Sequence, residues 1–364
     1  MTGQSLIKSI LRKMNDLNKS RKRFVEEILL LYLSHRGRIN FLQMERQSDQ
    51  CEKSYRYQFE QEFDWQDFNV NLVKAQCGKE LIIGFDPSFI NKSGKCSPGI
   101  GYFYSGCAGH YKRGIEIGSF AAVDIKQNTA YHLDATQSPT ARRDRIDIDK
   151  TLVDHYGDIL ASKASGLEKL SKVLVCDAYF SKKKYVDRVC NDTNMELICR
   201  LRDDANLKYL YKGPQSTGKG RPRKYASKID VKNIDKRRLP MAYKDEDVTI
   251  YGGKVYSVGL KIEISLCYVE HQISESKILT KIYYSTNAVR GAKQILKYYR
   301  ARYQKEFIFR DAKQYTGLEQ CQARSQNKLN FHFNASLTSI SVGKGAIRKG
   351  YSTDISMPLF NIKR

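Results

Sequence analysis

Apolar positions recur at helical spacing over the first 76 residues and give way to strand-like runs from Glu80 onward. Leu6, Ile7, Ile10, Leu11 and Met14 form one stripe, and Phe24, Ile28, Leu29, Tyr32 and Leu33 form a second that Gly37 closes. Residues 39–45 predict a third helix. Ser54, Tyr55, Arg56, Tyr57 and Phe59 predict a basic, aromatic helix after a polar turn. A DNA-reading helix-turn-helix and an ordinary bundle with short loops both fit this order.

The next segment reads as strands. Leu81, Ile82, Ile83, Gly84 and Phe85 make a short apolar run that ends at Asp86, which Pro87 holds extended. Further runs fall at residues 101–107, 115–125 and 129–135, before a helix over 152–160. Val173, Leu174, Val175 and Cys176 form another continuous apolar strand, ending at Asp177. Two buried strands thus each deliver a carboxylate at the C-terminal end, where open α/β sheets place their sites. A helix over 182–189 and a strand over 197–201 follow. Residues 207–287 break the pattern, opening with Gly213, Pro214, Gly218, Gly220 and Pro222 and then alternating as strands, as in Val255 to Val258. This stretch looks inserted, and a last helix is predicted over 331–347.

Residues 295–313 predict one helix in which Tyr299, Arg302, Glu306 and Lys313, joined by Arg310, share a polar stripe at about 100° per residue. Phe307, Ile308 and Phe309 point in the other directions, so the stripe is expected to line a cleft. An acid flanked by bases there suits a metal ion beside a phosphate. An internally paired ion cluster fits the same spacing.

Charge separates these readings. The chain carries 63 Lys and Arg against 39 Asp and Glu over 364 residues, a net charge of +24. A basic excess spread along the whole length points to a polyanion, with nucleic acid first. No run approaches the ~20 apolar residues of a membrane span, and no apolar signal segment follows Met1, so a cytoplasmic protein is expected. Nine cysteines without a Cys-x-x-Cys pair read as reduced thiols and argue against structural zinc. The 24 tyrosines supply both core and groove, because a phenol offers stacking area and a hydrogen bond to phosphate.

If the strands are neighbours and the helix packs beside them, Asp86, Asp177 and Glu306 converge, as two hard divalent ions require. Asp124 and Glu319 are rival acids. The segment from Gly84 to Lys95, the run Val175-Cys176-Asp177-Ala178-Tyr179-Phe180 and the spacing of Tyr299, Arg302, Glu306 and Lys313 resemble the DDE transposases of bacterial insertion sequences. More narrowly they resemble the branch with a Tyr-Arg-Glu-Lys signature, over roughly residues 80–345.

That resemblance implies an α/β chain with a ribonuclease-H-like catalytic core on a mixed β-sheet. A β-rich insertion separates the last core strand from the helix bearing the glutamate, and an N-terminal helical domain precedes the core. The expected limits are 1–76 for the helical DNA-binding domain, 77–206 and 288–348 for the two parts of the core, 207–287 for the insertion and 349–364 for a tail. It further implies that Asp86, Asp177 and Glu306 bind two Mg²⁺, replaceable by Mn²⁺, and that Tyr299, Arg302 and Lys313 hold backbone phosphates. The partners it implies are double-stranded DNA, as terminal inverted repeats and target, and a second copy of the chain, near the nucleoid. Water attacks at the element's terminus, and the freed 3′-hydroxyl then attacks target DNA. Several members of this branch free the second strand through a hairpin intermediate and stack a flipped base on a tryptophan in the insertion. Here the only tryptophan is Trp65, so a flipped base requires a tyrosine such as Tyr251 or Tyr256. A DNA-binding protein without catalysis and a nuclease that cuts without joining remain the alternatives.

Other basic residues bear on DNA. The run Lys219-Gly220-Arg221-Pro222-Arg223-Lys224 resembles a minor-groove hook, with Arg221, Arg223 and Lys224 on the DNA; plain phosphate binding fits it too. Lys92 to Lys95 lacks the glycine and hydroxyl of a nucleotide loop, so Ser88, Lys92 and Lys95 are expected on DNA near Asp86, or else in a surface turn. Arg200 and Arg202 face the groove or pair with Asp203 and Asp204, and the acidic neighbours of Arg202 favour pairing there. Arg310 joins the stripe without an assigned role.

Overall fold

The computed structural model describes residues 3–348 except Arg36, Lys95, Cys107, residues 140–149, Ser216, Thr217, Lys219, Glu275 and Ser276. The described residues fall into two compact units, one within Met1–His155 and Tyr303–Arg364, the other within Tyr156–Arg302.

The first unit opens with α1 (Gly3–Leu11), α2 (Lys19–Ser34), α3 (Phe41–Glu45), α4 (Glu52–Glu60) and α5 (Trp65–Gln76). Side-chain caps fix three of the starts: Asn18, Asn40 and Asp64 accept from the amides of Arg21, Gln43 and Asp67 at 2.8, 3.0 and 2.9 Å. Four strands follow, β1 (Leu81–Asn91), β2 (Gly101–Ser105), β3 (His110–Asp124) and β4 (Thr129–Gln137). The long β3 carries β1 along one edge and both β2 and β4 along the other, all antiparallel. Pro87 does not end the first strand where the apolar run ends. β1 continues to Asn91, with Pro87 opposite Gly118, so Asp86 stands mid-strand opposite Ser119. A proline's fixed φ lies at the edge of the β region, and an extended neighbour before it is what Pro87 itself favours. Gly114 makes the crossing of β1 and β3 possible, since a Cβ there would overlap the Phe89 ring and come 2.5 Å from the carbonyl oxygen of Ile90.

In the second unit lie α6 (Leu152–Glu168, starting just before it), β5 (Val173–Val175), α7 (Lys183–Asp192) and β6 (Glu196–Arg200). The β-rich stretch then runs through β7 (Leu207–Leu210), β8 (Tyr225–Lys228), β9 (Met241–Lys244), β10 (Val248–Ser257), β11 (Ile262–Ser274) and β12 (Lys277–Ser285), before α8 (Ala292–Ala301). Its sheet order is β5-β6-β12-β11-β10-β7-β8, with β9 on β10. Among the described residues of this unit β5 and β6 run parallel, and the other strand pairs are antiparallel.

The chain returns to the first unit with α9 (Gln304–Tyr315) and α10 (Gln326–Arg348). The predicted single helix over 295–313 is therefore two, parted at Arg302 and Tyr303. Both residues keep helical dihedrals, but the amides of Arg302 and Glu306 bond three residues back, to Tyr299 and Tyr303 at 3.2 and 3.0 Å. That tightening is a 3₁₀ turn. α10 packs on α2, α4, α5 and β4, where Phe24, Phe59, Trp65 and Phe331 form one aromatic cluster with ring centroids 4.6–6.2 Å apart. Trp65 is thus core.

Candidate active site

In the first unit, β1 delivers Asp86 and α9 delivers Glu306, both half-buried. Positions 305, 308, 309 and 312 of α9 face inward at helical spacing, and Lys305 occupies one of them with 1% of its surface exposed. Its ammonium donates to the carbonyl oxygen of Asp86 at 2.9 Å and lies 4.4 Å from the centre of the Phe309 ring. Two turns on, Lys313 donates to the carbonyl of Phe89 at 2.7 Å and pairs with Glu319 at 3.4 Å. Eight helical residues advance about 12 Å and three strand residues about 10 Å, so α9 runs beside this part of β1 and the two lysines fasten both ends. Glu306, about 100° round the helix from Lys305, stands at the edge of the buried arc. A carboxylate there keeps access to solvent.

The second unit positions Asp177. The apolar β5 ends just before it, and its side chain caps a 3₁₀ turn over Ala178–Phe180, accepting from the amide of Tyr179 at 3.0 Å. The thiol of Cys199, on β6, donates to the Asp177 carbonyl at 2.7 Å, and burial raises that thiol's pKa well above the ordinary value. Tyr299 packs on Tyr283 with ring centroids 4.6 Å apart, and the Arg302 guanidinium lies 5.8 Å from its ring. Burial pushes the Tyr299 phenol up to about 12 against the opposing pull of Arg302. The hydroxyl therefore stays protonated at neutral pH and can donate to a phosphate oxygen.

The acids thus divide between the units, Asp86 and Glu306 in one and Asp177 in the other. All three are half-buried carboxylates, the oxygen donors that a hard divalent ion takes, so their chemistry fits such an ion. Among the described residues no group of three or more His, Cys, Asp or Glu side chains stands ready to hold a metal. The rival acids already have structural partners. Asp124 is fully buried and accepts from the amides of Gly78 and Gln127 at 2.7 and 2.9 Å; Glu319 pairs with Lys313 and accepts from the amide of Asn91 at 3.3 Å.

The basic candidates sort by what holds them. Lys92 donates to the carbonyls of Glu319, at 2.9 Å, and Cys321, and burial lowers its pKa, so its ammonium has a structural place. Ser88 is half-buried on β1 opposite Ile117. Arg200 and Arg202 each pair with an acid, Asp203 and Asp204, at 3.6 Å. Arg310, whose side chain is 59% exposed, pairs with Asp311 at 3.2 Å and covers Phe307. In the second unit Arg221, Arg223 and Lys224 are exposed, and Arg223 lies 4.7 Å from the Tyr211 ring centre and donates to the Tyr225 carbonyl at 3.1 Å. Tyr251 is buried beneath Lys236, while Tyr256 stacks on Tyr225 at 4.1 Å. Lys95 and Lys219 lie outside the described residues.

The sequence pattern of the family described as "Transposase DDE domain" matches residues 101–341. The chain belongs to that family. No curated protein matches it. The matched residues of this DDE transposase hold Asp177, Glu306 and the Tyr299, Arg302 and Lys313 positions, and Asp86 precedes them by 101−86=15 residues. The chain is accordingly a mixed α/β protein with a transposase-type function, and DDE transposase domains generally use divalent metals. None of its described helices is long and apolar enough to cross a membrane. Sequence reasoning missed Lys305, although a lysine on an apolar helical repeat with Ile308, Phe309 and Ala312 is a readable anomaly.

Proposed function

We propose that this transposase cuts DNA at the ends of its own element and joins the freed 3′ ends to target DNA, with Mg²⁺ as its ion and Mn²⁺ as a substitute. The observation that carries the reading is the Lys305 hydrogen bond, which fastens the strand of Asp86 to the helix of Glu306. In this reading the strands between β6 and α8 are an insertion into a ribonuclease-H-like core, and the N-terminal helices and the insertion bind the element's ends. The Tyr-Arg-Glu-Lys branch supplies the roles of the remaining residues, and two copies act on paired ends.

Asp86, Asp177 and Glu306 are the residues that would hold the ions. When bound, divalent ions supply Lewis-acid polarisation and charge neutralisation at phosphorus. The chain's own groups do the rest. Tyr299 donates its neutral hydroxyl to a phosphate oxygen, and Arg302 and Lys313 present cations to the same backbone. Arg310, Ser88, Arg200, Arg221, Arg223 and Lys224 extend the phosphate contacts. Lys305 holds the main chain at Asp86, and the Cys199 thiol holds it at Asp177.

The test is incubation of the purified protein and Mg²⁺ with DNA carrying the inverted repeats that flank its reading frame. Nicking at the repeat ends by the parent, and none by Glu306→Gln at equal DNA affinity, is expected. Equal nicking by both proteins removes Glu306 from the chemistry.

A further inference from the structure

The first unit carries an exposed aromatic surface that the transposase reading leaves unused. In the β2–β3 hairpin Tyr104 pairs with Tyr111 and Tyr102 with Arg113, so alternation places all four side chains on one face. The three tyrosines are 68% (Tyr102), 56% (Tyr104) and 69% (Tyr111) exposed. Phe103 and Ser105, on the opposite face, are buried and anchor the hairpin. The rings of Tyr104 and Tyr111 meet edge to face with centroids 5.8 Å apart. Arg113 closes the row, donating to the carbonyls of Ser93 and Gly94 at 3.0 and 3.4 Å, which ties the hairpin to the segment after β1.

Three large rings turned to water on one short hairpin are an unusual use of aromatic area, because such side chains normally bury it. Charge identifies what covers them. Arg113 shares the face of the rings, Lys112 and His110 lie at the alternate positions beside it, and residues 101–115 contain no Asp or Glu in a chain of net charge +24, so the hairpin suits an anionic partner with flat apolar faces. Nucleic-acid bases have that chemistry: a π-face that stacks on phenol rings, carried on a phosphate chain that the basic residues attract. An intact duplex hides its base faces, so the fit is to bases that are unpaired or turned out of the helix.

We propose that the β2–β3 hairpin is a stacking platform for unpaired DNA bases, with Tyr102, Tyr104 and Tyr111 as the stacking rings. The proposal rests on the transposase reading for its choice of DNA, but its test does not require cleavage. Affinities of the full chain are measured for a single-stranded oligothymidylate, for the same strand with abasic positions and for an intact duplex. The Tyr102→Ala/Tyr104→Ala/Tyr111→Ala variant is compared with the three Tyr→Phe replacements, and circular dichroism reports folding. Losing a stacked base costs roughly tenfold in affinity per ring. The expected result is a single-strand affinity at least tenfold weaker for the alanine variant, retained by the phenylalanine variant, with duplex affinity within about twofold of the parent. The parent should lose a comparable factor on the abasic strand.

Equal single-strand affinity of parent and alanine variant, or indifference of the parent to abasic positions, overturns the platform. So does a change in sedimenting mass without a change in DNA affinity, which makes the hairpin an interface between copies. Base-dependent binding by a protein that never cleaves keeps the platform and removes the transposase reading.

Discussion

Lys305→Met isolates the link between the strand of Asp86 and the helix of Glu306. Methionine keeps the length and apolar stem of the side chain but removes the ammonium that donates to Asp86 at 2.9 Å beneath 1% exposure. A hydrogen bond from a charged group contributes about 1.5–3 kcal/mol, and the contact with the Phe309 ring about 0.5–2 kcal/mol. Relief of a buried charge offsets part of this, leaving a net loss of about 1–3 kcal/mol. With a urea slope of about 2–3 kcal/mol/M, the midpoint should fall by roughly 0.3–1.5 M. The functional effect should be larger. Release of the Asp86 main chain by about 1 Å costs on the order of 100-fold in rate, so Mg²⁺-dependent cleavage should drop by about 10–100-fold while DNA affinity stays within about twofold. Urea melts, gel-resolved cleavage and fluorescence anisotropy read these three quantities. Parental cleavage together with an unchanged melt would refute the reasoning, since the bond would then hold nothing in place.

Two further substitutions probe the framework of the same unit. Arg21 donates to the carbonyls of Gln58 and Gln61 at 2.7 and 2.8 Å, lies 4.9 Å from the Phe331 ring centre, and has its pKa lowered to about 10 by burial. Arg21→Met should lose about 2–4 kcal/mol in the same melts, because those carbonyls lose a charged donor; a loss below about 0.5 kcal/mol counts against it. His332 is fully buried between the Tyr32 hydroxyl and the Gly317 carbonyl, at 2.6 and 3.0 Å, and burial lowers its pKa to about 3. The unfolded chain therefore takes up a proton that the folded one refuses between about pH 6.5 and 3, so this stability is complete above pH 6.5 and declines as pH falls, by at most about 1.4 kcal/mol per pH unit. His332→Gln should flatten that part of the pH profile; an unchanged slope removes His332 as its source.

Much of the fold was written in local pattern. The helical stripes of residues 6–14 and 24–33 and the apolar runs before Asp86 and Asp177 became α1, α2, β1 and β5, because each needs only its own periodicity. The misses are tertiary. β1 runs on past Phe85 through Asp86, Pro87 and Ser88 because β3 supplies partners, and no apolar signal in β1 announces them. The break at Arg302 and Tyr303 has no Pro or Gly to mark it, and its dihedrals stay helical, so a spacing argument passes straight through it. The sequence places Lys92 on DNA near Asp86 or in a surface turn. Its real setting depends on carbonyls more than 220 residues away. The acids Asp124 and Glu319, which the resemblance passes over, accept structural hydrogen bonds from chain amides. The hairpin tyrosines stand at alternating positions that the sequence displays, but their exposure follows from which face β3 leaves open.

The proposal most worth testing is that Asp86, Asp177 and Glu306 all serve the cleavage chemistry. Its most direct test is the cleavage rate of Asp86→Asn, Asp177→Asn, Glu306→Gln and the triple variant on DNA bearing the flanking repeats, at saturating Mg²⁺ and DNA. Groups that act together are non-additive, so each single variant should lose about as much rate as the triple, with DNA affinity unchanged. A single variant that cleaves at the parental rate would contradict the account, because that acid would then lie outside the site.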